Sequence, residues 1–315
     1  MVWQEGKMKI VISGGSGFVG LQLLKQLQPN HQLVVISRNP EAAKHTLSQQ
    51  GVDAECIDID GLVWQKDVDA VINLAGEPIA DKRWSSAQKH RICDSRWRLT
   101  QTLSDWILAQ PTPPSVFISA SAIGIYGNDN QAVDENTPLT VNDADFAQKV
   151  CHTWETLALQ AQGHTRVCLL RIGLVLGEGG ALKKMLPAFR AGLGGPIGSG
   201  EQMMSWIHID DLVAAIGFLL INPESRGVYN GTGPLPVSNR LFTRTLGKVL
   251  HRPAVVPVPA PALKLGLGEM SQLLLEGQRV LPTRLQQDGF EFHYPGLEGA
   301  LTQLLQPPLR PRVDD

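Results

Sequence analysis

Seven consecutive residues, Gly14-Gly15-Ser16-Gly17-Phe18-Val19-Gly20, carry the clearest chemical signal in the chain: glycines spaced so that backbone amides can close around an anion. Context gives the signal its weight. The Val- and Ile-rich run at 9–13 predicts a strand ending at the loop, and 18–28 predicts a helix opening from it. In that setting Gly14 permits the tight turn, Gly17 lets the backbone approach a pyrophosphate, and Gly20 lets helix and strand pack closely. The phosphates then meet free amides at the positive end of the helix.

Positions farther along bear on which dinucleotide fits. The second predicted strand, 33–37, leads into Ser37-Arg38, where a site built for NAD usually has an acid for the ribose hydroxyls. An arginine there suits a 2′-phosphate through a charge-assisted hydrogen bond of roughly 1.5–3 kcal/mol. The expected cofactor is therefore NADP(H); the alternative is a solvated loop arginine. Asp58, closing the third strand, stands either for the adenine amino group or as a simple strand-end acid. The fourth strand ends in Asn73-Leu74-Ala75-Gly76, whose small residues let a nucleotide lie across the carbonyl end of a sheet.

Holding these groups together requires alternating strands and helices. Apolar runs at 9–13, 33–37, 53–57, 69–74, 115–120, 166–171 and 227–230 predict strands, and 18–28, 40–49, 85–109, 144–161, 182–191, 209–221 and 238–250 predict helices. The fold class is α/β, a doubly wound parallel sheet of Rossmann type with a smaller C-terminal subdomain on the substrate side. Residues 8–232 are expected as the nucleotide-binding domain, with 176–205 contributing to the substrate side. Residues 233–305, where prolines become frequent and a further helical stretch covers 262–277, form the subdomain. Residues 1–7 and 306–315 are expected as flexible ends.

Composition narrows the partners. With 28 Lys+Arg against 30 Asp+Glu and no single-sign block, nothing marks a nucleic-acid or anionic-membrane surface. No apolar run is long enough to span a bilayer and residues 1–8 lack a signal core, so a cytoplasmic location is expected. Cys56, Cys93, Cys151 and Cys168 form no C-x-x-C pair, which speaks against a structural metal or a disulfide framework.

Taken together, residues 14–20, Asn73-Leu74-Ala75-Gly76, residues 119–127, Leu170-Arg171 through Gly177, and Ile207-His208-Ile209-Asp210-Asp211 resemble the extended short-chain dehydrogenase/reductases, which include the nucleotide-sugar epimerases. Glu77-Pro78-Ile79, Gly194-Gly195-Pro196-Ile197-Gly198-Ser199-Gly200 and Leu274-Leu275-Glu276-Gly277-Gln278-Arg279-Val280-Leu281-Pro282 resemble an atypical branch, the epimerase family proteins. That branch has its own C-terminal domain, and some members are described as possible cell-division inhibitors. The resemblance runs from Met8 to about Leu305. It implies a Rossmann fold with NADP(H), and adds Arg91, Arg96 and Val175 to the cofactor residues.

The superfamily resemblance also implies a Tyr-x-x-x-Lys pair with a Ser and an Asn, the lysine lowering the tyrosine pKa for proton exchange with substrate. This chain has no such pair. Its three tyrosines, Tyr126, Tyr229 and Tyr294, are followed four residues on by Asn130, Gly233 and Glu298. Alignment on Glu155 puts Ala147 and Cys151 at the two positions, and counting back from Thr100 puts Arg96 at the asparagine. Ala122 falls at the serine, with Ser121 and Ser119 close by, so Ser119, Ser121 and Tyr126 are the nearest catalytic candidates.

Arg96 is expected to pair with a phosphate or a substrate carboxylate. Arg91 leans toward the adenosine end or joins Arg98 on a solvated face. Cys151 is expected as a buried thiol, because His152 points about 100 degrees away on a helix. His208 is expected to pack, Asp210 and Asp211 to cap the following helix, and the glycine-rich stretch 192–200 to be a substrate loop or an exposed turn. The resulting expectation is an oxidoreductase or epimerase-like enzyme on a small polar substrate with altered acid–base groups. The alternative is a non-catalytic, NADPH-sensing protein acting through a protein partner.

Overall fold

The computed structural model describes residues 6–306, so most of the two expected flexible ends, 1–5 and 307–315, lies outside the described residues. In chain order the strands are β1 (Lys9–Ser13), β2 (Gln32–Ile36), β3 (Glu55–Ile57), β4 (Ala70–Asn73), β5 (Val116–Ala122), β6 (Asp129–Val133), β7 (Arg166–Ile172), β8 (Leu174–Leu176), β9 (Met203–Met204), β10 (Trp206–His208), β11 (Gly227–Gly231), β12 (Val237–Ser238) and β13 (Gln278–Val280). The helices are α1 (Phe18–Leu27), α2 (Pro40–Gln49), α3 (Ser86–Leu108), α4 (Phe146–Leu159), α5 (Gly180–Arg190), α6 (Ile209–Ile221), α7 (Asn239–Val249), α8 (Ala260–Leu267), α9 (Gln272–Leu275), α10 (Thr283–Gln287) and α11 (Leu297–Leu305).

The central sheet is parallel throughout, in the order β11-β7-β5-β4-β1-β2-β3. Winding runs outward from β1 to β3 and then returns to β4, which leaves a crevice beyond the carboxyl ends of β1 and β4. Both sheet faces are covered, as alternation along β1 requires: Ile10 and Ile12 pack with Leu23, Leu24, Leu212 and Ile216 of α1 and α6, whereas Val11 packs with Leu103, Ile107 and Ala158 of α3 and α4. Among the described residues no helix is long and apolar enough to cross a membrane.

Side chains close the starts of most of the helices around the crevice. Asn39 Oδ1 accepts from the Ala42 amide at 3.0 Å with Pro40 behind it, Ser85 Oγ from the Gln88 amide at 3.2 Å, and Asp145 from the amides of Ala147 and Gln148. Helix α1 differs, because its cap residue is Gly17 and has no side chain to offer.

Asp210 and Asp211 correct the expectation for α6. The cap is His208, whose Nδ1 accepts from the Asp210 amide at 3.1 Å, while the Asp211 carboxylate accepts from the amides of His293 and Tyr294 at 2.8 and 3.0 Å and ties down the C-terminal segment. His208 packs as expected: it is buried, its ring centroid lies 3.9 Å from that of Tyr294, and Nε2 meets Gln303 Oε1 at 2.9 Å. The single helix expected at 262–277 is broken into α8 and α9 by Gly268, whose φ of +60° no ordinary helical residue adopts.

The C-terminal part shares an apolar cluster with the segment before it: Phe242, Leu246, Leu297 and Leu301 pack with Leu182, Phe189 and Trp206. It is also woven into the rest by strands that the sequence reading missed: β13 pairs with β6 and β12 with β9. The glycine-rich stretch is stapled down, with Val256 N donating to Gly194 O and Val258 N to Pro196 O. A Cβ on Gly195 would lie 2.1 Å from Val256 O, so glycine is required for that approach.

Candidate functional site

The glycine loop is held by backbone contact. Gly14, at φ +74°, turns the chain out of β1, and the Gly17 amide returns to its carbonyl at 3.0 Å. A Cβ on Gly14 would lie 2.8 Å from the Ala75 amide nitrogen, and one on Gly20 would lie 2.2 Å from Gly14 O. The first-turn amides of α1, Phe18, Val19 and Gly20, have no helical carbonyl behind them and no capping side chain, so they stand open to an anion. Gly15 and Ser16 complete the turn. This cradle fits a dinucleotide pyrophosphate.

A buried hub supports the crevice. Ser13 Oγ donates to Asn73 Oδ1 at 2.6 Å, and Asn73 Nδ2 donates to Thr100 Oγ1 at 2.8 Å and to Ser119 Oγ at 3.3 Å, which locks the ends of β1, β4 and β5 to α3. The Ala75 amide reaches Ser13 Oγ at 3.4 Å. Leu74, Ala75 and Gly76 therefore run directly beside the glycine loop. On the opposite side the Phe18 ring fits among Gly177, Gly179 and Gly180, which brings the segment after Val175 against the start of α1.

Ser37 and Asp58 sit on adjacent strand ends, linked by the Ser37 amide donating to Ile57 O at 2.8 Å. Arg38 is exposed, and its guanidinium has no partner among the described residues. Asp58 accepts from the Gly61 amide at 2.8 Å and so braces the turn after β3, with its carboxylate exposed. Arg91 turns back along α3, its Nε and Nη2 both donating to Gln88 Oε1. Arg96 lies flat against Gly76, with Nη1 donating to Glu77 O and Ile92 O and its guanidinium 5.2 Å from the Trp154 ring. Burial lowers its pKa.

Two of the three catalytic candidates, Ser121 and Tyr126, are drawn into a different network. Ser121 Oγ donates to Glu155 Oε1 at 2.7 Å, and Arg171 grips both Glu155 oxygens at 2.8 Å and donates to Tyr126 Oη at 2.9 Å. Tyr126 Oη in turn donates to Asn230 Oδ1. Burial raises the Tyr126 pKa against the pull of Arg171. Ser119 is fully buried in the Asn73 hub. Ala147 lies over Gly124, and Cys151, 4% exposed, lies against Ser121, Ala122 and Arg96, so both face the carboxyl end of β5. Burial, reinforced by Glu155, pushes the Cys151 thiol up to about 12.

The sequence reading missed the Ser13–Asn73–Thr100 hub and the Glu155–Arg171 pair, because these common residue types announce themselves only when five elements converge. Among the described residues no group of three His, Cys, Asp or Glu could hold a metal.

Comparisons with known proteins bear on this site. Residues 10–230 match the NAD dependent epimerase/dehydratase family, and residues 258–304 match a domain of unknown function, DUF1731. The chain is 42% identical over 317 residues to the epimerase family protein SDR39U1 homolog, chloroplastic, of Arabidopsis thaliana, covering 96% of this chain and 88% of that protein. It is 36% identical to epimerase family protein SDR39U1 of Bos taurus, over 95% of this chain and 100% of that one. Among solved structures, human epimerase family protein SDR39U1 with NADPH superposes with a TM-score of 0.85 at 34% identity, covering 94% of this chain and 99% of that chain.

Proposed function

Because the chain belongs to the NAD dependent epimerase/dehydratase family, with the DUF1731 domain and SDR39U1-like relatives, we propose that it binds NADP(H) across the carboxyl ends of β1 and β4 and acts as an oxidoreductase or epimerase-like enzyme on a small polar substrate. The observation that carries this reading is the uncapped start of α1, packed against the turn at Gly14 and Gly20, where no side chain fits. The human relative was crystallised with NADPH. On this reading the amides of Phe18, Val19 and Gly20 hold the pyrophosphate, and Ser37 and Arg38 the 2′-phosphate. Asp58 faces the adenine, Leu74 through Gly76 and Val175 line the groove, and Arg91 and Arg96 supply positive charge from α3. Residues 8–232 form the nucleotide-binding domain and 233–305 the substrate-side subdomain.

The nicotinamide, when bound, supplies or accepts hydride. The protein's own groups limit what accompanies it. Ala147 carries no proton, and Cys151 at about 12 keeps its proton near neutrality. The hydroxyls of Ser119 and Ser121 are engaged in buried bonds, and that of Tyr126 in partly buried ones. A proton exchanged with substrate is thus not supplied by a Tyr-x-x-x-Lys pair, and water or the substrate itself can carry it.

Those engaged hydroxyls favour a second reading, a non-catalytic protein that senses NADPH and acts through a protein partner. The loss of a general acid–base pair removes about a hundred- to ten-thousand-fold in rate. Incubation with NADPH and a panel of small carbonyl compounds, followed through nicotinamide absorbance, separates the two. Saturable turnover abolished by Arg96→Ala supports the enzyme; tight NADPH binding with no turnover across the panel supports the sensor.

A further inference from the structure

The glycine loop forms a floor between two rims. At one end Gly14 touches the rim that begins with Leu74 and Ala75, and at the other Phe18 touches the rim formed by Gly177, Gly179 and Gly180. Asp81 lies farther along the first rim. Lys184 stands on the first turns of α5, which rises from the second. Lys184 Nζ bonds Asp81 Oδ1 across 103 residues of sequence and also donates to Ala80 O at 3.2 Å. Floor, first rim, ion pair and second rim close a ring. Both side chains are half exposed, 55% for Lys184 and 48% for Asp81, so the closure is reversible.

We propose that the Lys184–Asp81 pair is a strap that closes over the dinucleotide at its pyrophosphate and sets how fast the cofactor leaves. The proposal rests on the NADP(H) reading above. A bound dinucleotide lying on the floor passes through the ring, and release requires the strap to part. The second rim is made of glycines that pack closely around Phe18, and Gly180 adopts φ +57°. Because an exposed ion pair is weak, the strap slows exchange by a modest factor and loosens with ionic strength.

Asp81→Ala tests it, because simple electrostatics predicts the opposite sign. Removing an anion near a pyrophosphate, and freeing a lysine beside it, strengthens binding unless the pair acts as a closure. NADPH fluorescence chased with excess NADP⁺ in a stopped-flow instrument gives the dissociation rate. The strap predicts release about two- to five-fold faster in Asp81→Ala and return to within two-fold of the parent in the swap Asp81→Lys with Lys184→Asp. Release from Asp81→Ala at the parent rate or slower overturns it. In a second measurement, Asp81→Cys with Lys184→Cys is oxidised after NADPH is bound; a staple that retains the cofactor until reduced supports the strap, and release unchanged by oxidation overturns it. A parent that shows no NADPH signal at all overturns the cofactor reading itself, and the strap with it.

Discussion

Gly20 rests directly on the backbone of Gly14: a Cβ on it would lie 2.2 Å from the Gly14 carbonyl oxygen and 2.8 Å from Gly15 Cα. The neighbours are main chain and cannot rotate away, so helix α1 and the turn after β1 approach at the closest distance that peptide groups allow. Gly17 is less constrained. Its would-be Cβ lies 3.1 Å from Gly14 O, and its φ of −79° suits any residue.

The two glycines should therefore fail differently. Gly20→Ala should destabilise the fold by about 1–3 kcal/mol, as an overpacked contact does, read from the urea midpoint. Gly17→Val should keep a near-parental midpoint yet weaken NADPH binding at least ten-fold, because its side chain stands where the amides meet the phosphates. Normal NADPH affinity in Gly17→Val would show that these glycines serve only the turn.

Arg171 and Glu155 form a buried pair at 2.8 Å with side chains 4% and 8% exposed, and the pair also fixes Ser121 and Tyr126. Removing one partner strands a charge. Arg171→Met should cost about 3–5 kcal/mol in urea unfolding, whereas Arg171→Met with Glu155→Leu should recover part of that loss. A single variant within about 1 kcal/mol of the parent would mean that the pair is more solvated than its burial indicates.

Burial holds the His208 pKa below its usual value of 6.5, against the upward pull of Gln303, Asp210 and Asp211, so the fold favours the neutral ring. Its stabilisation is complete above pH 6.5 and is lost as pH falls, since the unfolded ring takes up the proton first. At pH 5.5 the loss reaches at most about 1.4 kcal/mol. His31, lowered by burial as well, adds in the same direction. The parent Tm should drop by about 2–4 °C from pH 7.5 to 5.5, and His208→Asn should show a smaller drop over that interval. Equal drops in the two proteins would remove His208 from the account.

Sequence patterns resolve what local chemistry dictates. The strand before Gly14 and the helices opening at Phe18 and Pro40 are legible, because a short Val- and Ile-rich run and a helical period are properties of neighbours in the chain. The comparisons show the family, the Rossmann-like sheet and the C-terminal extra domain that the motifs suggested. The pairing of β13 with β6 is not legible, since nothing near Gln278 indicates a partner at residues 129–133. The same holds for Asp211: its place at the start of a helix reads as a cap, yet its acceptors serve amides 82 and 83 residues away. Ser121 and Tyr126 look available in the sequence, and their commitment to Glu155, Arg171 and Asn230 emerges only when β5, α4, β7 and β11 come together.

The central claim is that the groove takes NADP(H), selected at the end of β2. Arg38 is exposed beside Ser37, with no partner among the described residues, and neither residue directly after β2 is an acid that could hold an unphosphorylated ribose. One charge-assisted hydrogen bond of roughly 1.5–3 kcal/mol corresponds to a ten- to hundred-fold preference. Titration of the purified protein with NADPH and NADH, followed by nicotinamide fluorescence, measures it directly. The account predicts a Kd for NADPH ten- to a hundred-fold below that for NADH, with most of the difference lost in Arg38→Ala while NADH affinity stays within two-fold. Equal affinities in the parent, or an undiminished preference in Arg38→Ala, would contradict it.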